Sequence, residues 1–251
     1  MITIISITIY GMLQAIGLNV EYRGIRVLEQ ISFTVPMGSL TAVIGPNGAG
    51  KSSLFKAMLG LTAIAGGETL YCDRPLHQQL SRVAYVPQRS QIDWDYPVTV
   101  KDVVLMARTV ATGWGRSPSR KSQNLVTEAL HKVGMWEHRH CRIGELSGGQ
   151  QQRVFLARSL ASQAELLFFD EPFNGIDKQT ETAIFSVFGE LRDLGKIILV
   201  ISHDLGQSLQ NYDQILMLNR RLIAQGSHHH VLNASNLNRC YGHDLSFFVT
   251  G

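Results

Sequence analysis

The chain has 251 residues, 23 Lys+Arg against 20 Asp+Glu, a formal net charge of +3, 45% hydrophobic and 17% charged residues. That length describes one large domain, or one domain carrying a subdomain, with enough chain to bury a substantial core. The 23 Gly and 7 Pro exclude a collagen-like repeat, the apolar content excludes a disordered chain, and so small a positive charge does not indicate nucleic-acid binding.

Residues 1–11 read as an N-terminal extension, with Met12 a second candidate start. The uncharged run Met1–Val20 is broken by Thr3, Ser6, Thr8, Gly11, Gln14, Gly17 and Asn19. Its β-branched alternation reads as strand or loose tail rather than as a spanning helix, and no basic segment precedes it as a signal peptide requires. From Gln14 to about Gly45 the pattern is that of strands, ending in the continuous apolar run Ser39–Gly45 of a buried strand. A Gly-rich turn, Gly45–Gly50, opens a helix from about Lys51 to Leu59, and short strands follow around Glu68–Cys72 and Arg82–Pro87. Between Thr99 and Gly134 the spacing is helical, interrupted by the loop Gly113–Pro118. A helix over Gly148–Ala161 leads into a second buried strand, Ala164–Phe169; helix Lys178–Leu194 precedes strand Lys196–Ile201. From Asp213 the tail reads as two short strands and a terminal helix, Ala234–Tyr241. Strands alternating with helices imply an α/β fold with a mainly parallel sheet covered on both faces. The helical stretch of about 90–160 reads as an insertion between its two halves.

Gly45-Pro-Asn-Gly-Ala-Gly-Lys-Ser52 matches GxxxxGK[ST] and stands between a buried strand and a helix, the context a phosphate loop needs. Gly45, Gly48 and Gly50 let the backbone turn its N–H groups inward, so that Pro46, Asn47 and Ala49 through Ser53 wrap phosphate oxygens. Lys51 supplies a point charge for the β- and γ-phosphates, and the Ser52 hydroxyl a ligand for Mg²⁺. Asp170 and Glu171 follow four apolar residues, at the carboxyl end of a strand where α/β sheets bind ligands. Asp170 is expected at the Mg²⁺ shell, and Glu171 as general base for a water in line with the γ-phosphate; a helix-capping role for Glu171 is the alternative. His203 ends another apolar strand and is expected to bond the γ-phosphate and the attacking water.

With Gln88 in Val86-Pro-Gln88, these motifs precede and follow Leu146-Ser-Gly-Gly-Gln-Gln-Gln-Arg153 in a fixed order over about residues 14–245. That set resembles the ATP-binding-cassette ATPases. The resemblance implies a P-loop NTPase with an N-terminal antiparallel β subdomain and an inserted helical subdomain within residues 12–251. It implies ATP and Mg²⁺ as cofactors, ATP hydrolysis, and a head-to-tail dimer in which Ser147, Gly148, Gly149 and Gln150 of one copy face the nucleotide of the other. A helix N-terminus of this kind is an anion site in its own right. The resemblance also assigns Gln88 to Mg²⁺ and water, Tyr22 to stacking on adenine, and Asp177 to the dimer contact. No Asn-Lys-x-Asp guanine motif is present, so ATP is expected over GTP. The turn Phe173-Asn-Gly-Ile-Asp177 departs from the Ser-Ala-Leu-Asp of many family members.

Val86–Val100, with its Ser-Gln-x-Asp-Trp core, and Asp102–Arg120 resemble the ATPases of manganese, zinc and iron importers, manganese most. Such an ATPase works on the cytoplasmic face of the cell membrane, on a separate integral membrane permease fed by an extracytoplasmic metal-binding protein. Trp94, Tyr96 and Pro97 are expected either at the permease or packed within the helical insertion. A cassette ATPase not coupled to transport, such as one serving cluster assembly, is the alternative. His228-His-His230 reads as a solvated turn rather than a metal tract, and His138, His140 and Cys141 are spaced poorly for one tetrahedral ion. Cys72, Cys141 and Cys240 stand far apart, without the spacing of a disulfide framework or a zinc site.

Overall fold

The computed structural model describes residues 12–113 and 115–242. The extension assigned to residues 1–11 lies outside them. In chain order come strands β1 (Met12–Tyr22), β2 (Ile25–Pro36) and β3 (Ser39–Ile44), then helix α1 (Lys51–Met58). Strands β4 (Gly66–Tyr71), β5 (Arg74–Pro75) and β6 (Val83–Val86) lead to helices α2 (Val100–Met106), α3 (Thr109–Thr112), α4 (Arg120–Lys132) and α5 (Gly148–Ser162). Strand β7 (Leu166–Asp170), helix α6 (Lys178–Asp193) and strand β8 (Ile197–Ile201) follow, then β9 (Gln214–Asn219), β10 (Arg221–Gly226), α7 (His228–Val231) and α8 (Ala234–Tyr241).

Two sheets form. The first is antiparallel, in the order β2-β1-β4-β5; the second has six strands in the order β10-β9-β3-β8-β7-β6. Within the second, β6, β7, β8, β3 and β9 run parallel, and only β10 returns antiparallel. β3, β7 and β8 are buried at every position, which is why their sequences are unbroken apolar runs rather than alternating ones. Their side chains alternate between two cores. Val43, Phe168 and Leu199 face α1 and the antiparallel sheet, where the Phe55 ring meets Phe168 edge-on at 5.0 Å between centroids. Ala42, Phe169 and Val200 face α5, α6 and the helical layer, where Phe169 packs on Phe188 at 4.7 Å.

Carboxylates tie the two sheets together at two places. Glu165, just ahead of β7, accepts from the Tyr71 hydroxyl of β4 at 2.9 Å and from Arg82 Nε at 2.9 Å. At the opposite edge Arg221 of β10 donates to Glu29 of β2. The helical stretch expected over Thr99–Gly134 divides into three helices, because Gly113 at φ +84° ends α3 and Ser119 caps α4 anew. His228–His230 are the start of α7, a single helical turn, where a loose turn is the sequence reading.

Candidate functional site

The chain leaves the carboxyl end of β3 through Gly45, whose φ is +155°. A Cβ there would lie 1.9 Å from the Leu218 carbonyl oxygen of β9, so only glycine fits. At Gly50, which precedes α1 with φ +95°, a Cβ would lie 2.4 Å from the Leu28 side chain. Between these two glycines the loop is pressed against β9 and β2, and its open side is a cleft of about 230 Å³. Val27, Asn47–Ser53, Glu171 and His203 line it. The free N–H groups of the first turn of α1 lie on the same loop. Lys51 is 6% exposed and donates to the carbonyls of Gly45 and Pro46 at 2.7 and 3.0 Å. Burial pulls its ammonium below the usual lysine range, against the opposing charges of Glu171 and Asp170.

Asp170 ends β7 and is 1% exposed. Its Oδ1 accepts from the Ser52 hydroxyl at 3.2 Å, while its Oδ2 is buried without a hydrogen-bond partner. Burial pushes its carboxyl above the usual range. A buried carboxylate whose Oδ1 lies next to a hydroxyl is an oxygen donor set that suits a hard divalent cation.

Glu171 has the left-handed backbone of a glycine, φ +54°, one residue beyond the strand. Its N–H donates to the Ile201 carbonyl at 3.2 Å, which fixes the turn against β8. Gln88 Nε2 donates to one carboxylate oxygen at 2.6 Å, and His203 Nε2 bonds the other. Gln88, Glu171 and His203 therefore meet across three strand ends, at the side of the phosphate loop. Glu171 caps no helix. The carboxylate that caps α6 is Asp177, which accepts from Thr180 N–H and Thr180 Oγ1, both at 2.8 Å.

The second glycine pair lies elsewhere in the chain. Ser147 caps α5, its hydroxyl accepting from Gln150 N–H at 3.3 Å while Gln150 Oε1 accepts from Ser147 N–H at 2.9 Å. Gly148 and Gly149 form the first turn. A Cβ on Gly149 would stand 3.2 Å from Thr180 Oγ1, so this turn rests on the start of α6, with Arg153 Nη2 donating to the same Thr180 oxygen at 3.2 Å. Ser147, Gly148, Gly149 and Gln150 do not line the phosphate-loop cleft, and neither does Tyr22. Tyr22 is 39% exposed, with its hydroxyl 3.0 Å from Thr62 Oγ1.

Three residues near the site carry no motif. Val27 forms a wall of the cleft. Arg89 Nε donates to Gln151 Oε1 of α5 at 3.0 Å, so adjacent residues of one loop, Gln88 and Arg89, reach Glu171 and α5. His138 Nε2 lies 3.4 Å from Gln150 Nε2, on the capping side chain of α5. A second cleft, of about 380 Å³, opens beside Gln88, Arg89, Ile92 and Trp94 and reaches Asn174 and Gly175. Trp94 is packed edge-on against Phe155 at 5.6 Å and donates to the Arg89 carbonyl, whereas Tyr96 is 58% exposed. Among the described residues no helix is long and apolar enough to cross a membrane, and no three His, Cys, Asp or Glu side chains are grouped to hold a metal ion.

The family model described as "ABC transporter" matches residues 28–174. The manganese transport system ATP-binding protein MntB of Halalkalibacterium halodurans is 46% identical over 232 residues, covering 92% of both chains. The zinc transport system ATP-binding protein TroB of Treponema pallidum is 45% identical over 242 residues, 96% of this chain and 91% of that one. Among solved structures, CbiO1 of Clostridium perfringens, part of the ABC transporter complex CbiONQ, superposes with a TM-score of 0.77 at 25% identity over 92% of this chain and 94% of that one. The phosphate loop between β3 and α1, the paired sheets and these likenesses lead to one conclusion: the chain belongs to the ABC transporter family, as a nucleotide-binding ATPase subunit.

Proposed function

We propose that the chain hydrolyses MgATP between two head-to-tail copies and drives a separate integral membrane permease that imports a divalent metal ion, manganese before zinc. The observation that carries the hydrolytic part is Glu171, held in a left-handed backbone between Gln88 and His203 beside the phosphate loop. The backbone N–H groups of Asn47, Gly48, Ala49 and Gly50 wrap the phosphates, Gly45 and Pro46 shape the turn that carries them, and Ser53 continues that ring into α1. Lys51 exchanges the Gly45 and Pro46 carbonyls for β- and γ-phosphate oxygens. Ser52, Asp170 and Gln88 hold Mg²⁺, which when bound neutralises charge building on the phosphates. Glu171 accepts a proton from a water as the water oxygen bonds to the γ-phosphorus and the bond to the ADP oxygen breaks. His203 holds that carboxylate and the γ-phosphate in register. Tyr22 stacks on adenine.

Ser147, Gly148, Gly149 and Gln150 present the N-terminus of α5 to the γ-phosphate held by the other copy, and Asp177 lies at the same junction. The cleft beside Gln88 and Trp94 receives a segment of the permease, so nucleotide-dependent movement of Gln88 is felt there. Its position is the cytoplasmic face of the membrane. Manganese and zinc are the ions named for the two relatives, and the Ser-Gln-x-Asp-Trp core favours manganese; an extracytoplasmic protein delivers the ion, which this chain does not touch.

Glu171→Gln should lower the rate of ATP hydrolysis by about 10²- to 10⁴-fold while leaving MgATP affinity within a few-fold, measured by phosphate release and by equilibrium nucleotide binding. Hydrolysis within threefold of the parent would remove Glu171 from the role of base. Ion-resolved uptake in cells with and without the chain distinguishes the metals: loss of manganese accumulation is expected, and loss of zinc accumulation alone would reverse the order.

A further inference from the structure

Six buried side-chain polar atoms lack a hydrogen-bond partner among the described residues, and two of them belong to one place in the core sheet. One is Asp170 Oδ2. The other is the hydroxyl of Tyr85, on the neighbouring strand. β6 runs parallel to β7 with Tyr85 opposite Phe168 and Val86 opposite Phe169. Side chains alternate along a strand, so Tyr85, Phe168 and Asp170 share a face, and Asp170 is the diagonal neighbour of Tyr85. With strands about 4.8 Å apart and a rise of about 3.3 Å per residue, such neighbours are about 8 Å apart, within reach of an aromatic side chain. The shared face is the one covered by α1, where Tyr85 packs into the same apolar cluster as Phe55 and Phe168. The phenol is the only uncommitted donor among those six atoms that this register directs to Asp170. A phenol carries its proton at neutral pH and is therefore available as a donor.

We propose that the Tyr85 hydroxyl is a positioning group for Asp170, donating to Oδ2 and fixing the carboxylate's rotation so that Oδ1 stays turned to Ser52 and to the divalent cation. The inference rests on the reading of Asp170 as a cation residue. It explains how a carboxylate with only one bonded oxygen keeps one orientation in a buried site. No motif signals it, because Tyr85 stands three residues ahead of Gln88 and reaches Asp170 only through the β6–β7 register.

Tyr85→Phe removes the hydroxyl and keeps the ring, so the packing on Phe168 persists. The measurement is Mn²⁺ binding in the presence of a non-hydrolysable ATP analogue, followed by electron paramagnetic resonance of the free ion. It is set beside binding of the same analogue in excess chelator. Tyr85→Phe should weaken Mn²⁺ five- to tenfold and leave metal-free nucleotide affinity within twofold. Asp170→Asn should weaken Mn²⁺ more, and Tyr85→Phe added to it should cause no further loss. Unchanged Mn²⁺ affinity in Tyr85→Phe beside weakened affinity in Asp170→Asn would overturn the positioning role alone. Unchanged affinity in both would overturn the reading of Asp170 beneath it. Equal losses with and without metal would make Tyr85 a packing residue and overturn the proposal. A crystal structure with nucleotide and Mg²⁺ should place the phenol oxygen within about 3 Å of Asp170 Oδ2, and a separation beyond about 4 Å would also overturn it.

Discussion

A glutamate with φ +54° is held where most side chains cost on the order of 1–3 kcal/mol of backbone strain. Three contacts hold Glu171 there: its N–H on Ile201, and its two carboxylate oxygens on Gln88 and His203. The same backbone that strains Glu171 points its carboxylate at the phosphate loop, which a strand continuing past Asp170 would not do. Gly45 is the opposite case, a position where no side chain fits at all. Gly45→Ala places a methyl against the backbone oxygen of Leu218, and neither strand can retreat because β9 is hydrogen-bonded to β3. The variant should lose at least about 2 kcal/mol of stability in urea titration and bind ATP at least tenfold more weakly. Stability and affinity equal to the parent would show that the loop is not pinned to β9. At this scale the motifs made most of the site legible: Lys51, Ser52, Asp170, Glu171 and His203 each stand at a strand end or loop that the sequence marks. Val27, Arg89 and Tyr85 were not legible. Their neighbours are set by strand register and by loop packing, and no run of residue types encodes either.

Among the elements, one of the joins between the two sheets is Glu165. The Arg82 guanidinium, helped by the Tyr71 hydroxyl, holds its carboxyl below the ordinary 4.5. A carboxylate with a lowered folded value stabilises fully above its unfolded value and loses that contribution as pH falls through the folded one. Glu165→Gln should therefore melt below the parent at pH 7, and the gap should close as the pH is lowered through the carboxylate range. Differential scanning calorimetry checks this, and a gap that stays constant into acid would mean that the carboxylate charge contributes nothing. The N-termini of α5 and α6 are a second such join, since Gly149 rests on Thr180 and Asp177 caps the same turn. Asp177→Ala should cost about 1 kcal/mol of stability from the lost cap. Its two bonds to Thr180 are made within its own chain, so any dimer contact of Asp177 is additional to a structural one. The existence and type of α1, α5, α6, β3, β7 and β8 followed from their apolar periods. What the tail strands would do did not: β9 lies beside β3, one strand in from the edge of the sheet, and an apolar run of four residues, Ile215–Leu218, does not say which strand it will pair with.

Taken whole, the molecule is a parallel sheet with different coverings on its two faces, and the chemistry lies along the edge where its strands end. Phe168 belongs to the face shared with α1 and is fully buried, so Phe168→Ala should cost about 3–5 kcal/mol. It should also weaken nucleotide binding, because α1 carries the phosphate loop. One chain has two helix N-termini that follow glycine-bearing motifs, α1 beside the cleft and α5 outside it, and in the dimer proposed above a second copy brings the two together over one nucleotide. Light scattering of Glu171→Gln with MgATP tests that arrangement. A particle of twice the 27.9 kDa chain mass, which returns to a single chain when Ser147 is replaced by arginine, is the expected result. A variant that binds MgATP at saturation and stays at the mass of one chain would contradict it.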